Sequence, residues 1–305
     1  MSPAQMMKQQ PSMILGFPDY EPQGRRLAQS AGLPYQTIRL HRFPDGESKV
    51  TVPAELPERL VLCRSLDHPN DKLVELLLAA QTLREAGARD LTLVAPYLCY
   101  MRQDIAFHPG EAVSQRIVGR FLGELFDTVI TVDPHLHRTP SIEAAIPARR
   151  ACALTATKLM GRFLDARRAD TAKPPLLVGP DGESEQWVRA IAEPAGLDFV
   201  VATKERLGDH SVRVNLPAHE FRGREIILVD DMVSTGHTLA EVARELRAAG
   251  AGPIRCLVTH ALFAHGAEQM LHEAGVEAIW SSDSVTHPTN ALPLAELLAQ
   301  SLTRD

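Results

Sequence analysis

No CxxC pair occurs in this chain. Its four cysteines, Cys63, Cys99, Cys152 and Cys256, are scattered and mostly sit in strand-like runs. That pattern argues against structural zinc and against a disulfide framework, and it predicts buried thiols in a reducing compartment. No apolar run approaches the ~20 residues that span a bilayer. Met1 to Ser12 are polar and lack a basic segment followed by a long apolar one, so the reading predicts no signal peptide, a disordered segment over 1–12 and a cytoplasmic protein. An excess of positive charge is also missing. The net charge of −6 gives no general attraction to nucleic acid or an anionic membrane, so an anionic substrate must be held locally. Low-complexity sequence is absent. What remains is ordinary globular composition, 45% hydrophobic and 23% charged over 305 residues, long enough for two domains.

The most informative stretch runs from Arg224 to Leu239. Ile226 to Val229 form a short apolar run of the kind that makes a strand buried on both faces of a parallel sheet. Asp230 and Asp231 follow at its C-terminal end, where the ends of parallel strands leave a crevice for ligands. Two adjacent carboxylates there can accept from vicinal hydroxyls or help hold Mg²⁺. Ser234, Thr235, Gly236, His237 and Thr238 then supply hydroxyls and, through Gly236, a backbone able to approach an anion at a helix start. Leu239, Val242, Ala243 and Leu246 repeat at helical spacing, and Gly250 is the stop.

Two halves of the chain pass through the same sequence of events. In the first, Met13 to Gly16 is a strand, Arg25 to Ala31 a helix, and Thr37 to Leu40 a strand. In the second, Leu176 to Val178, Glu183 to Ala195 and Phe199 to Ala202 repeat that order. Leu60 to Cys63 matches Ile226 to Val229, the helix through Leu73 to Leu83 matches that through Leu239 to Leu246, and Leu91 to Ala95 matches Ile254 to Val258. Thr128 to Asp133 is a further strand. The alternation predicts two α/β domains of similar fold. Prolines at 134, 140 and 147 place the crossing between them, giving domains 13–147 and 148–305, with a flexible loop at 170–175 and a closing amphipathic helix from Ala291 to Leu302. The first half has Arg64 to Asn70 where the second has its acids, so only the second should bind a ribose phosphate there.

Four more clusters carry candidate chemistry. Phe43, Asp45 and Glu47 combine an aromatic face with two carboxylates, a set suited to adenine, although alone they fit a solvated turn better. Arg102, Gln103 and Asp104 follow a strand, where a forked guanidinium suits phosphate and a surface salt bridge fits equally well. His135 and His137 follow Asp133 and suit either a metal or an ordinary polar loop; Mg²⁺ prefers oxygen. Lys204 and Arg206, near Gly208, suit a mobile cationic loop that closes over a polyphosphate, or a charged hairpin.

Val229 to Thr238 resemble the phosphoribosyl pyrophosphate motif, with His237 where many members carry a second glycine. Taken together the five clusters resemble ribose-phosphate diphosphokinase, also called phosphoribosyl pyrophosphate synthetase, from Met13 to about Leu302, and they look most like archaeal-type members. The resemblance implies two phosphoribosyltransferase-type domains, each a mainly parallel sheet flanked by helices. It implies diphosphoryl transfer from Mg-ATP to ribose 5-phosphate for nucleotide biosynthesis, in a homo-oligomer built from dimers. By that likeness Phe43, Asp45 and Glu47 hold adenine from a neighbouring subunit, while Arg102, Gln103 and Asp104 hold the rest of ATP. His135 and Asp181 serve Mg²⁺, Lys204 and Arg206 are catalytic, and Asp230, Asp231 and Ser234 to Thr238 hold ribose 5-phosphate. Departures from the family pattern are Ile105 and Ala106 after Asp104, and Glu183 and Ser184 after Gly182. The alternatives are a type I phosphoribosyltransferase, which needs one such domain plus a hood for a base, and a non-catalytic regulatory homologue, which loss of Lys204, Arg206 or the acid pair would favour.

Overall fold

The structure is a computed structural model and describes residues 13–167, 173–206 and 212–302, with the side chains of 204–206, 212 and 213 outside that description. The expected disordered segment 1–12, Gly208 and part of the expected loop at 170–175 therefore lie outside the described residues. The chain forms two compact units, 1–154 with 293–305, and 155–292.

In the first unit β1 (Met13–Gly16), α1 (Glu21–Ala31) and β2 (Tyr35–Thr37) are followed by an antiparallel hairpin, β3 (Arg39–Arg42) and β4 (Ser48–Thr51). Then come β5 (Arg59–Cys63), α2 (Pro69–Glu85), β6 (Asp90–Val94), α3 (Ser114–Leu125), β7 (Thr128–Val132), the short α4 (Ile142–Ala145) and β8 (Arg150–Leu154). The strands make a six-stranded sheet in the order β2-β1-β5-β6-β7-β8, parallel throughout.

The second unit runs α5 (Thr157–Asp165), β9 (Leu176–Gly179), α6 (Glu185–Ala195), β10 (Phe199–Val201), and the antiparallel hairpin β11 (Thr203–Arg206) and β12 (Val212–Asn215). It continues with β13 (Ile226–Val233), α7 (His237–Ala248), β14 (Ile254–Ala261), α8 (Ala267–Glu273), β15 (Val276–Ser282) and β16 (Asn290–Leu292). Its sheet is also six-stranded and parallel, in the order β10-β9-β13-β14-β15-β16. The two units share one strand order with a hairpin at the same place in the chain, as the repeated sequence pattern predicts.

Each core follows from the apolar runs. Ile226 to Val229 are all fully buried, as strands covered on both faces must be. Ile226, Leu228, Cys256 and Val258 cluster with Leu239, Val242 and Leu246 of α7. In the first unit Leu60, Leu62 and Leu93 cluster with Leu76, Leu83 and Leu122. Each such side chain contributes roughly 1.5–3 kcal/mol on burial.

Three local expectations shift. The first sheet continues past the proline-rich stretch through β8, and the chain leaves that unit after Leu154. The closing helix α9 (Ala295–Leu302) begins after Pro293 and packs on α1 of the first unit. Because Asn290 to Leu292 pair with β15 as strand β16, the helix does not start at Ala291. Finally, β13 does not stop at Val229: β14 runs alongside as far as Ala261, so the acids lie within the strand. Among the described residues no helix is long and apolar enough to cross a membrane. Cys63, Cys99 and Cys256 are buried thiols and Cys152 is half-buried.

Candidate active site

In the second unit β13 outruns its neighbour on one side. Its pairing with β9 ends at Leu228 opposite Val178, while pairing with β14 continues through Val233. Beyond Leu228 the edge toward β9 is given over to the turn Gly179-Pro180-Asp181. A Cβ on Gly179 would lie 2.4 Å from the Ser184 hydroxyl, so the missing side chain lets that turn fold tightly. Asp181 caps it: its Oδ1 accepts from the Glu183 N–H at 3.1 Å, and Ser184 Oγ donates to the Asp181 carbonyl at 2.6 Å. The acid therefore caps a turn, and it also lies close enough to Asp230 to act on it.

Asp230 holds its proton well above the usual carboxylate range. Burial is the main cause, and the neighbouring Asp231 and Asp181 carboxylates add to it. Asp231 is buried, and its N–H donates to Asp230 Oδ1 at 3.0 Å. Like charges gathered in a low-dielectric place resist ionisation, so this trio is poised for hydroxyl donors or a cation. Among the described residues no three or more His, Cys, Asp or Glu side chains are arranged to hold a metal by themselves. Carboxylates completing an ion that arrives on phosphates fit this donor set, as Mg²⁺ commonly binds that way.

The anion end follows directly. Gly236 takes φ +76° at the start of α7, and no side chain caps the helix. With the first N–H groups of the helix lacking a side-chain cap, this is a ready phosphate cradle. Ser234 and Thr238 are half-buried, and Thr235 and His237 are exposed. The loop is braced from behind: Leu262 and Phe263 N–H groups donate to the Val233 carbonyl at 3.0 Å each, and Ala264 donates to that of Ser234 at 2.8 Å.

Sequence reasoning missed a polar network that closes the ends of β14 and β15. Thr259, His260, Ser281, Ser282, Asp283 and Ser284 are all buried. His260, opposite Met232 in the register, has its Nδ1 2.8 Å from Ser284 Oγ, and Ser282 and Ser284 both donate to the Thr259 carbonyl. The signal was present in polar residues ending two apolar strands, where open α/β sheets bind ligands. Lys204 and Arg206 sit two positions apart in β11, opposite Val214 and Val212.

The first unit carries the other group. The hairpin tip is a built turn: Phe43 N–H donates to Glu47 O and Gly46 N–H to Phe43 O, while Asp45 Oδ1 accepts from Glu47 N–H at 3.2 Å. Phe43 is 41% exposed and meets His41 edge-on, 4.9 Å between centroids. On another loop, Arg102 is exposed, while Gln103 and Asp104 are half-buried. Ser114 donates to Gln103 Oε1 at 3.1 Å. Asp104 accepts from the backbone N–H of Arg138 and from its Nη1, both at 3.0 Å. Although burial pushes the Asp104 carboxyl up, those bonds hold it below its ordinary value. Asp104 thus joins the loop after β6 to the loop after β7, a salt bridge of the kind weighed for this cluster, with a partner the sequence did not reveal. His135 and His137 stack with centroids 6.4 Å apart. Just before them, Asp133 takes φ +38°, and Tyr100 takes φ +60° before Arg102; non-glycine residues in this region often cluster near functional sites.

Residues 13–125 match the N-terminal domain of ribose phosphate pyrophosphokinase, and residues 151–302 match the phosphoribosyl transferase domain. The chain is 34% identical to the ribose-phosphate pyrophosphokinase of Methanopyrus kandleri over 92% of its own length and 94% of that protein. It is 31% identical to that of Thermococcus kodakarensis, covering 88% and 93%. Its fold matches the crystal structure of phosphoribosylpyrophosphate synthetase from Mycobacterium smegmatis with a TM-score of 0.81 at 24% identity, covering 95% and 97%. With both domains matched in order and these relatives aligned along nearly their whole length, the chain belongs to the ribose-phosphate pyrophosphokinase family.

Proposed function

We propose that this protein transfers the β,γ-diphosphoryl group of Mg-ATP to the C1 hydroxyl of ribose 5-phosphate, giving phosphoribosyl pyrophosphate and AMP. The observation that carries this reading is the order along β13 and α7: a half-buried acid beside a buried one, then a glycine-started helix with no side-chain cap. Asp230 and Asp231 accept from the ribose hydroxyls, and Ser234, Thr235, Gly236, His237 and Thr238 surround the 5-phosphate. That arrangement fixes the sugar at both ends. In the first unit Phe43 offers its ring to adenine, with Asp45 and Glu47 beside it, and Arg102 and Gln103 take the remainder of the nucleotide. Asp104 acts by holding Arg138. The adenine contacts reach a neighbouring subunit in a homo-oligomer built from dimers.

Mg²⁺ would supply charge neutralisation on the transferring phosphates when bound, with Asp181 in the second unit and His135 in the first each a candidate protein contact. The remaining work is positioning and electrostatic stabilisation, as phosphoryl transfer in general requires. Lys204 and Arg206 neutralise charge on the group in flight. The test is direct: incubate the protein with ribose 5-phosphate, Mg²⁺ and ATP and separate the products by chromatography. AMP and phosphoribosyl pyrophosphate in equal amounts are expected. No AMP, together with consumption of phosphoribosyl pyrophosphate when a free base is added, would instead make it a phosphoribosyltransferase.

A further inference from the structure

We propose that Gln115, at the start of α3, is a positioning residue that brackets Arg102 from both sides and ties its loop to the loop after β7 that carries His135 and His137. That Arg102 faces a nucleotide rests on the function proposed above, whereas the bracket itself stands on geometry. Helix α3 begins with no side-chain cap from Val113, and the first N–H groups of a helix have no acceptor within it. The Gln115 N–H is one of these, and it donates to the Gln103 carbonyl at 3.2 Å. The side chain then turns back on the same loop, where Nε2 donates to the Met101 carbonyl, also at 3.2 Å. One residue thus holds the carbonyls on either side of Arg102. Arg102 is exposed, so the place from which its guanidinium starts depends on this backbone.

The amide oxygen reaches the other loop. Thr139 Oγ1 donates to Gln115 Oε1 at 2.6 Å. A carbonyl can only accept, so the Met101 contact requires the amide nitrogen and leaves the oxygen for Thr139. An ionised Glu at this position would lack the donor, and a Lys would lack the acceptor. Gln115 is 2% exposed, so a bond lost here has no water to replace it.

Both loops open on a residue that needs holding. Tyr100 takes φ +60° and Asp133 φ +38°, conformations that persist where the surrounding structure imposes them. Tyr100 is anchored through its hydroxyl, which donates to Asn70 Oδ1 at 2.5 Å. Beyond Arg102 the loops are tied twice by adjacent residues, Arg138 to Asp104 and Thr139 to Gln115. The Arg138 side chain is 45% exposed, which leaves Gln115 as the buried tie.

The test uses the full chain with Gln115→Met, which keeps the length of the side chain and removes both amide groups, and Thr139→Val, which removes only the tie between the loops. Amide hydrogen exchange without substrate reads the bracket directly: exchange at 101–104 should quicken by about tenfold or more in Gln115→Met. In protein with isotope-labelled histidine, the His135 and His137 ring signals should move in both variants. Steady-state kinetics well below each variant's Tm should show the ATP KM of Gln115→Met raised about tenfold, with kcat and the ribose 5-phosphate KM changed by less than about twofold. Arg102→Gln should raise the ATP KM by itself, and adding Gln115→Met to it should raise it no further, since residues that act through one another are not additive. A lowered Tm with unchanged exchange at 101–104 and unchanged ATP KM would make Gln115 purely structural and overturn the proposal. Additive effects of Gln115→Met and Arg102→Gln would overturn positioning through Arg102. Faster exchange together with an ATP KM unmoved by Arg102→Gln would support the bracket and place the failure in the nucleotide reading of Arg102.

Discussion

The ends of β5 and β13 occupy the same place in two sheets of the same strand order, yet they are built with opposite charge logic. After β5 comes Arg64, with a side chain 4% exposed, bonded to Asp19 at 3.0 Å and Glu75 at 2.6 Å and lying 4.2 Å from the Phe17 ring centroid. Lys72 adds bonds to Asp19 at 3.0 Å and Asp67 at 2.7 Å. The first unit thus fills this position with its own ion pairs. Toward the end of β13 stands a carboxylate pair with a third acid beside it, and Asp230 clings to its proton mainly because it is desolvated, with that company adding to the effect. The helix starts differ as well: α2 follows His68 at φ +46°, whereas α7 follows Gly236 at φ +76°. The Gly236 position faces Ala267 and Leu271, whereas the His68 side chain is exposed. One fold therefore gives an end closed by ion pairs and an end where carboxylates gather, and side chains make the difference.

Breaking the acidic end should have the largest effect. Asp230→Asn with Asp231→Asn replaces both carboxyls that accept from the sugar, a charged hydrogen bond being worth about 1.5–3 kcal/mol, and should abolish measurable ribose 5-phosphate binding in calorimetry while circular dichroism stays native. Unchanged affinity would place the sugar elsewhere and remove the contrast.

Breaking the closed end should damage stability instead. Arg64→Met leaves Asp19 and Glu75 without their shared cation and should cost about 3–5 kcal/mol, the usual penalty for removing one partner of a buried pair. Urea unfolding measures it. A loss below about 1 kcal/mol would mean the network behaves like a surface pair.

The two hairpins offer a third comparison. Lys204→Ala should lower kcat by about 10²–10³ with little change in KM, as loss of a group acting mainly in the transition state does. Steady-state kinetics decides it, and a change confined to KM would make Lys204 a binding residue.

The smallest effect sharpens the electrostatics. Since the folded chain holds the Asp230 proton more tightly than the unfolded chain, stability falls as pH rises from the ordinary aspartate range up to the folded value. Asp230→Asn removes that loss. A modest rise in Tm is expected at neutral pH, shrinking toward about pH 4. An equal shift at both pH values would show that the folded chain does not hold the Asp230 proton more tightly than the unfolded chain.

Much of the fold was legible because it rests on local pattern. Ile226 to Val229 and Leu60 to Cys63 announce buried strands, Leu239 to Leu246 announce a helix, and the same order occurring twice announces two like units. The acid pair and the Thr235-Gly236 step were readable for the same reason, since strand, turn and helix start are neighbours in the chain. Other features depend on partners far away in sequence. Asp104 meets Arg138 across 34 positions and Arg64 meets Asp19 across 45, and no periodicity encodes such pairs. β13 continues through its acids because β14 runs beside it, and the chain leaves the first unit only after β8 because that strand still pairs with β7. The sequence by itself determined which stretches are strand, helix and glycine turn, through hydrophobic period and backbone freedom. Only the tertiary structure decided which acids crowd together and which are neutralised, because burial and the approach of distant charges set the electrostatics of each carboxylate.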